Sequence, residues 1–155
     1  MARFAPAKQD IFDEFAAEIL HNYADGRWAV AVDGRAGAGQ AEVADGIAAA
    51  IQARGAAAVR ATTDGVDDFR STVLVPFRAE EGNAILVVDG RELLRAPLSS
   101  IFVYTIWIGV SPAGTPDPSE DQLDYERTVR PRIAATANLD NSDPEHPRRT
   151  FSDSC

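Results

Sequence analysis

Eight residues, Gly34-Arg35-Ala36-Gly37-Ala38-Gly39-Gln40-Ala41, stand between a short apolar run and a helical pattern. Glycines at this spacing let the backbone fold back on itself so that several N–H groups face inward. The helix that follows then offers its positive end to an anion. The chemistry available to such a stretch is the cradling of a phosphate. Against the phosphate-binding pattern G-x-x-x-x-G-K-[ST], the glycines are in place. The lysine position holds Gln40 and the Ser/Thr position holds Ala41. The backbone half of the cradle is therefore written, and the side chains that hold the terminal phosphates and magnesium are not. Gln40 can offer a β-phosphate only a neutral amide, and Arg35 falls where such a loop faces solvent.

Carboxylates complete the candidate site. Asp33, Asp64 and Asp89 each fall at or just beyond the expected carboxyl end of a strand, the place where ligands of parallel sheets bind. Asp89 closes the run AILVVD. Beside a phosphate loop it can hold magnesium directly or through water, or it can cap the segment that follows. Asp64 and Asp67 lie in the acidic turn TTDGVDDFR, where turn formation and proton acceptance are both open to them.

The elements that must position these residues are legible from periodicity. Ala29-Val30-Ala31-Val32 is a continuous apolar run, as expected for a parallel strand covered on both faces. From Gln40, the residues Val43, Ala44, Ile47, Ala48 and Ile51 recur at helical spacing, and Gly55 sits at the C-terminal glycine position. Asp10–Tyr23 reads as an amphipathic helix, and Ala56–Ala61 as a weak strand. Ser71–Phe77 is ambiguous, since Pro76 argues against a central strand. Ala84–Asp89 and Phe102–Ile108 are strong strands. Glu92–Leu98 reads as a short helix or turn, and Ser111–Pro118 as loop. Ser119 with Gln122 is a capping signature for a helix through Val129, broken at Pro131. Ala137–Asn141 reads as a last short strand. The alternation predicts an α/β fold: a three-layer, mostly parallel sheet flanked by helices. The chain is expected to form one domain over 1–155, with an N-terminal helix within 1–26 and an irregular tail or edge strand over 143–155.

Composition narrows the function classes. The 155 residues are 45% hydrophobic and 25% charged, ordinary for a soluble globular domain. A net charge of −9 argues against nucleic acid and acidic membranes as partners, and it opposes any polyanionic ligand. Lys8 is the only lysine, so none near the loop can replace the missing one. Cys155 is the only cysteine, which excludes an intrachain disulfide and fits a reducing cytoplasm. The N-terminus has acidic residues and no apolar core, so no signal peptide is expected. His21 and His146 have no metal-ligand spacing. Trp28 and Trp107 read as packing residues at strand ends.

Collinear stretches carry a family resemblance: AVDGRAGAGQAEVADGIAAAIQARGAAAVRATTD, AILVVDGRELLRAPL and LDNSDPEHP. In this order they resemble the uridine kinase-like P-loop kinases. The resemblance implies the P-loop NTPase fold and descent from enzymes that move the γ-phosphate of ATP to a nucleoside hydroxyl. It places Gly34, Gly37 and Gly39 in the phosphate loop and Asp89 at the magnesium-side carboxylate. Asp64 or Asp67 then stands as the base that accepts the hydroxyl proton.

The departures from that pattern shape the functional expectation. Gln40 and Ala41 replace the lysine and the magnesium ligand. The acceptor-binding insertion between Asp64 and Ala84 is mostly absent, and SPAGTPDPSEDQ stands in place of the lid. Arg127, Arg130 and Arg132 are candidate remnants of the lid arginines. Phosphoryl transfer depends on positioning and charge neutralisation, so these losses together predict a fall of several orders of magnitude in rate. The expected function is weak binding of ATP, another nucleotide or phosphate, with magnesium held if Asp89 is free, and impaired or lost transfer. The alternatives are an active small-molecule kinase that uses an arginine for the lysine, and a non-catalytic scaffold acting as a homodimer or with a protein partner.

Overall fold

The computed structural model describes residues 7–111, 113 and 115–151. The apolar runs set its centre. Arg27–Gly34 (β1), Ala84–Gly90 (β3) and Phe102–Gly109 (β4) are strands, and every residue of β3 is buried. Three shorter strands, Ala58–Thr62 (β2), Ala137–Asp140 (β5) and Arg148–Thr150 (β6), complete one sheet. The spatial order is β2-β3-β1-β4-β5-β6. All neighbours pair in parallel except β5 and β6, which are antiparallel.

Parallel neighbours cannot be joined by a hairpin, so the chain must cross the sheet between them. Gln40–Ala53 (α2) leads from β1 to β2. A π-helical turn, Arg70–Leu74, continues into Val75–Ala79 (α3) between β2 and β3. Glu120–Thr128 (α4) and Pro131–Ala134 (α5) lie between β4 and β5. Lys8–Tyr23 (α1) precedes β1 and packs on α2. One face of the sheet buries Phe15, Ile19, Ile47, Ile51 and Ile106. The other buries Leu74, Phe77, Leu86, Leu93 and Ile101.

The ambiguous 71–77 segment is helical: the π-helical turn runs directly into α3, and Pro76 is the second residue of α3. Ser119 Oγ accepts the Gln122 N–H at 3.1 Å, the cap expected for α4. The chain breaks ahead of Pro131, with Arg130 in the left-handed region at φ 55°. The 143–155 tail contains edge strand β6, held to α1 by Arg149, which pairs with Glu14 at 2.8 Å and also with Glu18. Residues 1–6 of the expected N-terminal segment and 152–155 of the expected tail, Cys155 included, lie outside the described residues. So do positions 112 and 114 of the expected 111–118 loop. Among the described residues, no helix is long and apolar enough to cross a membrane.

Candidate phosphate-binding site

β1 ends at Asp33 and Gly34, level with Gly90 of β3 and with Trp107 and Ile108 of β4. The chain then turns through residues 35–39. Gly37 and Gly39 have φ of 83° and 90°, which favours glycine. A side chain at Gly39 would also meet Asn141, whose Nδ2 lies 2.7 Å from where a Cβ would stand. That amide donates to the Ala38 carbonyl at 2.9 Å, so Asn141, just beyond β5, clamps the loop from outside.

Gln40 opens α2 and is buried. Its side-chain amide is turned back under the loop. Nε2 faces three carbonyl oxygens, those of Gly34 at 2.8 Å, Arg35 at 2.9 Å and Gly90 at 3.2 Å. An amide nitrogen has two hydrogens, so these acceptors take all of its donating capacity. The Ala41 position offers a methyl group and no oxygen. Glu42, in the first turn of α2, lies close to Gly39, its Oε2 3.6 Å from where a Gly39 Cβ would stand. It brings a fixed negative charge to the helix end that would attract an anion.

Ala36, Gly37, Gly39, Gln40, Ala41, Asp64, Asp89 and Arg91 share one crevice of about 450 Å³ with Glu42 and Gly90. The structure thus brings Asp64 and Asp89 to the loop. Asp67 is exposed, lies outside the lining, and accepts the Thr72 hydroxyl on its backbone carbonyl. Asp89 Oδ1 takes the Arg60 guanidinium at 2.7 Å, and Oδ2 lies 3.3 Å from the Thr62 hydroxyl. Arg60 also reaches Asp45 at 2.8 Å and the Val87 carbonyl at 2.8 Å. Among the described residues, no cluster of three His, Cys, Asp or Glu is arranged to hold a metal.

Asp33 faces away from this crevice and is wholly buried. Its carboxylate accepts the Gly34 N–H at 2.9 Å and the Tyr125 hydroxyl at 2.5 Å. Tyr125 in turn accepts the Leu94 N–H at 3.0 Å. Burial pushes the Asp33 pKa up to about 6, against the opposing hydrogen bonds from Tyr125, Leu93, Gly34 and Glu92. Burial and the neighbouring Asp33 charge raise the Tyr125 pKa as well, so the hydroxyl stays a donor. Asp33 is a strut joining β1, the chain after β3, and α4.

Arg35 leaves the loop toward α4 and forms a two-pronged ion pair with Glu126, at 2.7 and 2.9 Å. Those bonds hold its pKa above the usual arginine range. Arg127 pairs with Asp124 in solvent. Arg130 and Arg132 line a different cavity. The residues that sequence reasoning left aside are Arg60, Arg91, Tyr125 and Asn141. Asn141 carried a signal, since it lies within LDNSDPEHP. Arg91 is the only basic residue among those described that line the crevice.

No protein-family model and no curated protein sequence matches this chain. Among solved structures, it is similar to a protein described as a possible uridine kinase from Bacillus stearothermophilus. The TM-score is 0.67 at 12% identity, covering 84% of this chain and 97% of that one. A protein provisionally named a fructose transport system kinase, from Silicibacter sp. TM1040, aligns with a TM-score of 0.48 at 19% identity, covering 64% of this chain and 75% of that one. With a six-stranded, mostly parallel sheet between helical layers and a glycine loop joining β1 to α2, the chain has the P-loop kinase fold.

Proposed function

We propose that this protein is a non-catalytic form of the P-loop kinase fold, one that takes phosphate or a nucleotide weakly on the backbone of residues 34–41 and transfers no phosphoryl group. The observation that carries the reading is the inward turn of Gln40. Its amide closes the loop on the carbonyls of Gly34, Arg35 and Gly90 and is not presented to a ligand. The contacts left for an anion are loop N–H groups and the exposed Arg91 guanidinium, with the Glu42 carboxylate opposing them.

The residues do not fit a magnesium ion. Ala41 has no ligating oxygen, and the Asp89 carboxylate is neutralised by Arg60. Arg35 does not act for the lysine either, because Glu126 holds it. In this reading Asp64 borders the bound phosphate without a proton to accept.

The test is a thermal-shift titration with phosphate, ADP and ATP, each with and without magnesium. A ligand that binds only the native state raises the melting temperature by mass action. We expect small shifts at millimolar ligand, indifferent to magnesium and reduced by Arg91→Ser. Gln40→Lys with Ala41→Thr should strengthen ATP binding. A magnesium-dependent ATP shift in the wild type, or ADP release with nucleosides, would overturn the non-catalytic reading. No shift with any ligand would overturn phosphate binding.

A further inference from the structure

A cavity larger than the loop crevice, about 580 Å³, opens beside the carboxyl ends of β4 and β5. Its lining includes Trp107, Glu126, Arg130, Arg132, Ile133 and Asn138. The volume falls in the range of small-molecule sites.

Several features of the lining are left without a structural use. Arg27, Arg35, Arg60 and Arg149 are all paired with carboxylates. The guanidinium groups of Arg130 and Arg132 have no hydrogen-bond or ion-pair partner among the described residues. They flank the buried Pro131, and Arg130 adopts φ 55° and ψ 62°, a left-handed conformation that side-chain-bearing residues rarely take. Strain of this kind collects at functional sites. Asn138 is 8% exposed. Its Nδ2 donates to the Arg132 carbonyl at 2.9 Å, which ties the arginine segment to β5. Its Oδ1 is buried without a partner, although buried polar atoms are nearly always satisfied. Trp107 supplies an aromatic wall, and Ile133 is 67% exposed at the rim.

We propose that this cavity is a second ligand site, one that binds a small organic anion: an aromatic or apolar body against Trp107 and Ile133, with a phosphate or carboxylate on Arg130 and Arg132. Guanidinium groups recognise both oxyanions through paired hydrogen bonds. Two carboxylates share the lining: Glu126 is held by Arg35, and Asp140 accepts the Ser142 N–H at 3.0 Å and lies 4.0 Å from Arg148, so each has a partner of its own and Arg130 and Arg132 are left for the ligand.

The two tryptophans make the site readable. Trp28 lies at the other end of the sheet, its indole N–H on the Asp25 carbonyl, and Trp28→Phe leaves Trp107 as the reporter. Phenyl phosphate and benzoate, titrated separately, distinguish the two oxyanions; inorganic phosphate and phenol supply the fragments alone. We expect a saturable change in Trp107 fluorescence with at least one whole probe, and at least tenfold weaker binding of phenol and inorganic phosphate. Arg130→Ser with Arg132→Ser should weaken the probe at least tenfold. Arg132→Glu, an exposed position that leaves the Arg130 backbone unchanged, should do the same. Ala41→Glu adds a carboxylate at the exposed start of α2, should block the loop crevice, and should leave the probe unaffected. The proposal is overturned if neither probe gives a saturable change, if binding survives loss of the arginines, or if Ala41→Glu abolishes it, which would assign the ligand to the glycine loop.

Discussion

Asp33 offers a sharp quantitative test because its burial, its partners and its titration all bear on one number. The carboxylate has no exposure and a pKa of about 6, against an ordinary 3.8. Its folded pKa is raised, so the folded state binds the proton more tightly than the unfolded state does. That stabilisation is complete below the unfolded pKa and is lost as pH rises through about 6. At about 1.4 kcal/mol per unit the full difference is about 3 kcal/mol. Between pH 7.5 and pH 5 the wild type should collect about 1.4 kcal/mol of it, a tenfold change in the folding equilibrium. Asp33→Asn removes the titration. It also places an amide N–H₂ where the carboxylate now accepts from Tyr125, Gly34, Leu93 and Glu92, so the variant is destabilised at both pH values. The assay is urea denaturation of both proteins at pH 7.5 and pH 5. The penalty of Asp33→Asn should be larger at pH 5 by about 1.4 kcal/mol. A penalty equal at the two pH values, or smaller at pH 5, would refute the assignment of a raised pKa to Asp33.

Other substitutions probe the loop and its support. Gln40→Ala leaves the Gly34, Arg35 and Gly90 carbonyls without their shared donor; chemical denaturation should show a loss of about 1–3 kcal/mol. Arg60→Met strands the buried Asp89 carboxylate and should cost on the order of 3 kcal/mol, most of it recovered in the Arg60→Met, Asp89→Leu double variant; equal losses in the single and double variants would show that the ion pair is not what matters.

Much of the frame was legible in the sequence because it rests on short-range patterns. The AILVVD and FVYTIWI runs, the glycine spacing of 34–39 and the Ser119 cap each declare themselves within a few residues. What stayed hidden depends on partners distant in sequence. The lost lysine is visible at Gln40, but the direction of its amide depends on how the folded loop presents the Gly34 and Arg35 carbonyls and on the Gly90 carbonyl, fifty residues away. Asp33 could be placed at a strand end, yet its burial comes from Tyr125 of α4. Arg60 sits in AAAVRA, whose alanines gave only a weak strand signal, and its carboxylate partners come from α2 and β3. The 71–77 segment stayed ambiguous in the sequence, because Pro76 argues against a central strand without saying what stands in its place.

The sheet has two unlike edges. β6 closes one of them with three residues, two of them arginines. β2 ends the other, a five-residue strand with no further strand beyond it among the described residues and with Val59 44% exposed. An open strand edge is a template for sheet extension from chain to chain, and a charged side chain on it is a common deterrent. On β2 that charge is Arg60, the same guanidinium that neutralises Asp89 in the crevice. One side chain therefore links the electrostatics of the phosphate loop to the colloidal behaviour of the whole protein, and substitutions that free the crevice carboxylate also remove a guard against aggregation.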